Sequence, residues 1–207
     1  MATFNGRYAR CVPRPPSTEL HPRVAALLAA GGGTRFVGPT HKLLAELDGQ
    51  PVWARALDNV LAAGFDHVIV VTGAVPLDVP DGVTVRHNPA WAQGQASSVQ
   101  AAIHAAAALG ADMVTIGLAD QPFVTHEAWR SVAAADSGCP IVIAVYDGTP
   151  GPNPVRLRSD VWPLLPTDGD IGARDLLRDH PDWVCKIDCV GSPSDIDTLE
   201  DLARWNS

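Results

Sequence analysis

After residue 23, apolar runs and helix-spaced segments alternate along the chain. VAALLAA (24–30) is an unbroken apolar run of strand length, followed at once by the glycine-rich stretch GGGTRFVGPTHK (31–42). PVWARALDNVLAAG (51–64) places Val52, Ala56, Leu57, Val60 and Leu61 on one helical face, with Pro51 near its start and Gly64 as its stop. HVIVVTG (67–73) and GVTVRHN (82–88) predict two more strands. SSVQAAIHAAAALG (97–110) predicts a helix capped by Ser97 or Ser98, with Val99, Ala102, Ile103 and Ala106 facing inward and Gly110 ending it. DMVTIGLADQPF (112–123) predicts a strand running into a loop, and Thr125 caps a helix through about Ala135.

The second half continues the alternation. PIVIAVYDG (140–148) predicts a strand, TPGPNPV (149–155) a Pro/Gly loop, and residues 158–165 a short helix. GARDLLRDH (172–180) is helical, WVCKIDCV (183–190) is a strand, and DIDTLEDLARW (195–205) is a helix with Thr198 and Asp201 at capping-box spacing. Strands and helices in alternation predict an α/β fold: one mostly parallel sheet between two helical layers.

Composition narrows the function classes. With 207 residues and a formal net charge of −8, the chain suits one domain and holds no Lys/Arg cluster able to follow a nucleic-acid backbone. Its apolar runs are too short to cross a bilayer, so neither nucleic acid nor membrane is an expected partner. Lys42 and Lys186 are the only lysines. The four cysteines (Cys11, Cys139, Cys185, Cys189) are too scattered for a disulfide scaffold and lack zinc-site spacing, so they read as buried or idle thiols. Residues 1–23 are rich in Arg and Pro and carry no apolar h-region. They read as an irregular N-terminal arm, with residues 24–207 as the domain and the cytoplasm as the expected compartment.

In open α/β sheets ligands sit beyond the C-terminal strand ends. Gly31, Gly32 and Gly33 follow the first strand, with Arg35 and Lys42 close behind: either a polyphosphate cradle or a tight turn carrying two surface cations. The spacing matches neither a dinucleotide fingerprint nor a Walker A loop. Asp120, at the end of a buried strand, is placed to hold Mg²⁺ or to make an Asx turn. Asp195 and Asp197 precede a helix, where carboxylates favour the dipole; a metal role requires Asp197 to fold back beside Asp120.

Six segments in order resemble the MobA-like NTP transferases, most closely the molybdenum cofactor cytidylyltransferase branch. They are LAAGGGTRF…HKLLAELDGQPV (28–52), NPAWAQGQASSVQAAI (88–103), LADQPF (118–123), GPNPV (151–155), GDIGARDLL (169–177) and DIDTLEDL (195–202). The resemblance spans about residues 24–204 and implies a single three-layer Rossmann-like nucleotidyltransferase domain of the nucleotide-diphospho-sugar transferase type. It implies that the backbone of Leu28, Ala29, Ala30 and Gly31 lines the base and ribose site, and that Gly33, Thr34 and Arg35 wrap the triphosphate. Lys42 would contact the α/β-phosphates, Thr72, Asn88 and Ser98 would lie near the nucleoside, and Gln121 and Asn153 would face the acceptor. Asp120 and Asp197 would ligate Mg²⁺, making Arg35, Lys42 and Asp120 the catalytic set.

The LAAG form, with Ala30 where guanylyl-transferring relatives tend to have Gly, points to CTP. The implied activity is transfer of CMP to the terminal phosphate of molybdopterin with release of pyrophosphate, the product serving a molybdenum hydroxylase. Alternatives are a sugar, polyol or phospholactate acceptor, or a non-catalytic accessory protein that delivers a nucleotide or cofactor. Two departures stand out: Phe36–His41 lengthen the path from Arg35 to Lys42, and Leu199 replaces a Pro in the last motif.

Overall fold

The computed structural model describes residues 21–170 and 173–206. Most of the expected N-terminal arm therefore lies outside the described residues; of it, His21 Nδ1 donates to Gly110 O and Arg23 donates to Asp66 and Gly64. The strands are β1 (Val24–Ala29), β2 (Glu46–Leu47), β3 (Gln50–Pro51), β4 (His67–Thr72), β5 (Thr84–His87), β6 (Met113–Leu118), β7 (Ile141–Tyr146), β8 (Thr149–Arg158) and β9 (Val184–Asp188). The helices are α1 (Val52–Ala62), α2 (Gln95–Ala108), α3 (His126–Ala134), α4 (Arg174–Asp179) and α5 (Leu199–Trp205).

The main sheet has seven strands in the order β5-β4-β1-β6-β8-β7-β9, parallel except for β8, which runs against both neighbours. β1 lies at its centre and is buried on both faces, which explains why it reads as a continuous apolar run. Its alternate residues feed two cores. Ala25, Leu27 and Ala29 pack under α1 and α3; Ala26 and Leu28 pack under α2 and α4. This is the expected three-layer α/β arrangement. A third, smaller cluster joins Phe36, Leu47, Val52 and Ile196, tying the loop after β1 to the segment before α5.

Several expected boundaries move. Residues 149–155 are not a loop but the first part of β8. Its pairing with β6 covers only Val155–Arg158, so the prolines lie where the strand has a neighbour on one side alone, the position in which a missing N–H is tolerated. α2 starts at Gln95 with Gly94 as its N-cap, not Ser97 or Ser98. Gly94 has φ +106°, which ends the preceding turn, and Gly169 O accepts the Ala96 N–H that a serine was expected to satisfy. The helix expected at 158–165 is a single 3-10 turn, Trp162–Leu164. The last helix begins only at Leu199, because Thr198 and Asp201 form the capping box with Thr198 extended, and 195–198 lie outside the helix.

Cys139 and Cys185 are joined in a disulfide, which corrects the reading of idle thiols. Parallel pairing of β7 with β9 sets Val142 beside Cys185, and Cys139 lies just before β7, so the two Cα atoms come within 5.8 Å. Among the described residues, only Cys189 is a free thiol, and no helix is long and apolar enough to cross a membrane.

Candidate active site

β1 and β6 end side by side, and the chain leaving each turns over the same edge of the sheet. The loop after β1 carries Gly31–Arg35; the turn after β6 carries Asp120. Together with residues 91–98 they enclose an open cleft of about 560 Å³ lined by Leu28 through Arg35, Lys42, Trp91, Ser98, Asp120 and Asp197. The cleft lies where an α/β sheet is expected to bind its ligand.

The glycine loop offers donors. The amides of Gly32 to Arg35 give no hydrogen bond to any backbone carbonyl among the described residues. Gly33 has φ +60°, a conformation that turns the chain back and that a side chain would strain. A Cβ at Gly32 would lie 2.9 Å from the Trp91 ring, so the loop and the cleft wall touch only because no side chain intervenes. His41 fixes the far end of the loop. Its Nδ1 accepts from Leu43 N at 3.2 Å, so its Nε2 carries the hydrogen and donates to Gly31 O at 3.0 Å. Burial, reinforced by the nearby Lys42 charge, pulls His41 below the ordinary imidazole range, against the opposing effect of its bonds to Gly31 and Gly32, and keeps it neutral. Its contacts are thus structural.

At the mouth of the cleft four charged groups meet. Lys42 opens the 3-10 turn Lys42–Leu44, and its Nζ donates to Asp120 Oδ2 at 2.5 Å and to Asp197 Oδ1 at 2.8 Å. Arg35 Nη1 reaches Asp197 Oδ2 at 2.9 Å with its side chain 76% exposed. Asp197 has folded back beside Asp120, as a metal role for it requires, although 77 residues of sequence separate them. Burial acts to lower the Lys42 ammonium, but the two carboxylates outweigh it and hold the group above its ordinary value. Beside them, burial and the charge of Asp120 push the Asp195 carboxyl upward. Asp197 is aimed by the cap of α5: Asp201 Oδ2 accepts from the amides of Asp197 and Thr198.

The remaining expected residues divide. Leu28, Ala29, Ala30, Gly31, Gly33, Thr34 and Ser98 line the cleft. Thr72 and Asn88 stand behind its wall: Asn88 Nδ2 donates to Ser97 and Ser98 Oγ, and Asn88 N to Thr72 O, bracing the start of α2. Gln121 donates to Pro193 O and leaves its buried Oε1 without a partner among the described residues. Asn153 lines a small chamber adjoining the cleft. Sequence reasoning missed Trp91, Gln95, Asp170 and Arg174, which also line the cleft. The segments 88–103 and 169–177 held the signal, since both were recognised as motifs without a role being given to these side chains.

The donor set at this junction suits a divalent ion. Two carboxylates share one cation position, now held by Lys42 Nζ, and Asp120 Oδ1 is buried with no partner among the described residues. Hard oxygen donors of this number, completed by phosphate oxygens, suit Mg²⁺ or Mn²⁺. The residues fit such an ion.

Comparison with known proteins identifies the family. The chain is 33% identical over 122 residues to the bifunctional protein GlmU of Gluconacetobacter diazotrophicus, covering 56% of this chain and 25% of that protein. It is 35% identical over 118 residues to the GlmU of Caulobacter vibrioides, covering 53% and 25%. It therefore spans about a quarter of the length of these relatives. Among solved structures, the nucleotidyl transferase Mth528 of Methanothermobacter shares the fold at TM-score 0.74 and 24% identity, over 88% of this chain and 95% of that one. Rv0371c of Mycobacterium tuberculosis matches at TM-score 0.70 and 25% identity, over 90% and 98%. Its manganese complex matches at TM-score 0.69 and 25% identity, over 89% and 97%. The model of the MobA-like NTP transferase domain matches residues 25–183, and the chain belongs to that nucleotidyltransferase family.

Proposed function

We propose that the chain is a divalent-metal-dependent cytidylyltransferase that moves CMP from CTP to the terminal phosphate of molybdopterin. The observation carrying this reading is the cluster of Asp120, Lys42, Asp197 and Arg35 at the foot of a glycine loop with unspent amides. The manganese complex of Rv0371c supports a divalent ion in a related protein. Asp120 and Asp197 would hold Mg²⁺, which when bound supplies charge neutralisation at the phosphates.

The chain's own residues account for the rest. An oxygen of the acceptor phosphate forms a bond to the α-phosphorus while the bond from that phosphorus to the bridging oxygen breaks, and pyrophosphate leaves with the electron pair. A phosphate monoester is already anionic near neutral pH, so no strong base is needed. Catalysis then consists of in-line positioning and charge stabilisation. The amides of Gly32–Arg35 hold phosphate oxygens, and Arg35 and Lys42 turn from their carboxylate partners toward the incoming negative charge. Ala30 lines the cleft where guanylyl-transferring relatives tend to have Gly, which supports CTP over GTP.

The test is pyrophosphate release with each of the four NTPs, Mg²⁺, and molybdopterin or a sugar, polyol or lactate phosphate. Release with CTP and molybdopterin supports the reading; release only with another pair replaces the acceptor or the base. Saturable CTP binding without release for any acceptor would instead identify an accessory binding protein.

A further inference from the structure

Two polyanions must enter one cleft whose cations are already committed. Lys42 is held by two carboxylates and Arg35 by one. The third cation lining the cleft, Arg174 at the start of α4, makes no ion pair or hydrogen bond with any described residue, and its side chain is exposed. Arg174 also lines the neighbouring chamber of about 60 Å³, whose wall includes Asn153, Val99 and Leu157. It thus marks the junction between the cleft and the chamber, and no residue of the glycine loop lines that chamber.

The wall that carries Arg174 is docked firmly. Gly169 N donates to Gln93 O, and Gly169 O accepts from Ala96 N, which clamps Gly169 onto the start of α2. Gly94 allows this contact: a Cβ there would fall 2.4 Å from Gly169 C. Leu176 seats α4 in the core, and the Arg174 guanidinium gives none of its five donors to another described residue, the arrangement suited to a bidentate phosphate contact.

In-line displacement decides which phosphate it meets. The leaving pyrophosphate belongs to the loop after β1, so the attacking phosphate approaches the α-phosphorus from the other side of the cleft. We propose that Arg174 binds the phosphate of the acceptor, a phosphate monoester whose carbon skeleton lies toward the Asn153 chamber. This rests on the nucleotidyltransferase reading of the same site. Arg174 sets acceptor affinity and leaves nucleotide affinity to the glycine loop.

The experiment uses the full chain and Arg174→Gln, with Arg174→Lys as the conservative variant. Steady-state pyrophosphate release is measured against Mg-CTP and against molybdopterin. Loss of a charge-assisted bidentate contact predicts an acceptor KM raised about 10- to 100-fold in Arg174→Gln, with the CTP KM within about twofold and an intermediate value for Arg174→Lys. An unchanged acceptor KM, or an equal rise in both KM values, overturns the proposal. Inorganic phosphate is titrated in parallel by NMR, with and without Mg-CTP, so the test does not depend on the acceptor. Phosphate binding weakened at least about fivefold by Arg174→Gln supports the assignment, and equal affinity overturns it. Failure of the wild-type chain to release pyrophosphate with any acceptor would defeat the transferase reading, while the phosphate titration would still judge Arg174.

Discussion

Lys42→Met removes the one cation shared by Asp120 and Asp197, and its consequences follow from the distances. Lys42 is 9% exposed at its side chain and the carboxylates 18% and 17%, so all three are mostly withdrawn from water. Because both carboxylate oxygens touch the same Nζ, removing it leaves two negative charges about 5 Å apart, worth about 3 kcal/mol of repulsion at an effective dielectric near 20. Breaking a buried pair by deleting one partner costs about 3–5 kcal/mol, and the residual exposure and the Arg35 contact bring the expectation to about 2–4 kcal/mol. In urea denaturation without divalent ions, the variant should lose that much stability with an unchanged m-value.

Millimolar Mg²⁺ should then recover more stability in the variant than in the wild-type chain. The ion no longer competes with an ammonium for the two carboxylates, and a ligand at 100 times its Kd contributes about 2.7 kcal/mol. Pyrophosphate release should stay low even with Mg²⁺, since Lys42 also contacts the phosphates in this account. A loss below about 0.5 kcal/mol, or equal Mg²⁺ stabilisation of both proteins, would refute the reasoning that Lys42 holds the cation position.

Further expectations concern the parts that aim the site. The folded state holds His41 neutral with a lowered pKa. Its contribution is full above the unfolded value of 6.5 and is lost as pH falls from there through the folded pKa. Urea midpoints at about pH 7.5 and about pH 5.5 should therefore diverge less in His41→Gln than in the wild type, and identical slopes would contradict this. Gly94→Ala forces a Cβ into Gly169 at φ +106°; it should cost about 2 kcal/mol or more in denaturant unfolding and raise the acceptor KM by unseating Arg174. Asp201→Ala removes half of the α5 capping box and the bond to the Asp197 amide; it should cost about 1 kcal/mol and weaken Mg²⁺ binding measured by calorimetry, whereas a purely surface role would leave both unchanged.

What could be read from the sequence follows physical lines. β1 and β7 were plain because strands buried on both faces show as unbroken apolar runs. The Thr198–Asp201 box was plain because capping is local in sequence. β8 was hidden because Pro150, Pro152 and Pro154 carry the signature of a loop, and only the end of β6 reveals that this stretch pairs on one side. The β2–β3 hairpin went unread although Asp48 and Gly49 are a strong turn signal; both have positive φ.

The site shows the same division. Residues within ordered motifs, such as Gly31, Lys42 and Asp120, line the cleft in which they are expected, and the structure brings Asp197 to them through the turn before α5. Thr72 and Asn88 are expected near the nucleoside; both are buried at strand ends, and Asn88 Nδ2 donates to Ser98 Oγ, a residue that lines the cleft. The place of Arg174 in the cleft is not legible in the sequence, because the wall it shares with Gln95 and Asp170 is assembled by contacts such as Gly169 with α2, across more than 70 residues. The Cys139–Cys185 bond depends likewise on the register of β7 against β9.

The central claim is that Asp120 and its neighbours support transfer of a nucleotide to a phosphate. The most direct measurement is pyrophosphate release from Mg-CTP and molybdopterin by the wild-type chain and by Asp120→Ala, with folding of both checked by circular dichroism. The account predicts release by the wild type and its loss by at least about 1000-fold in the folded variant, the scale for removing a principal charge-stabilising group. Equal release by both proteins, or none by a wild type that binds neither CTP nor any other NTP, would contradict it.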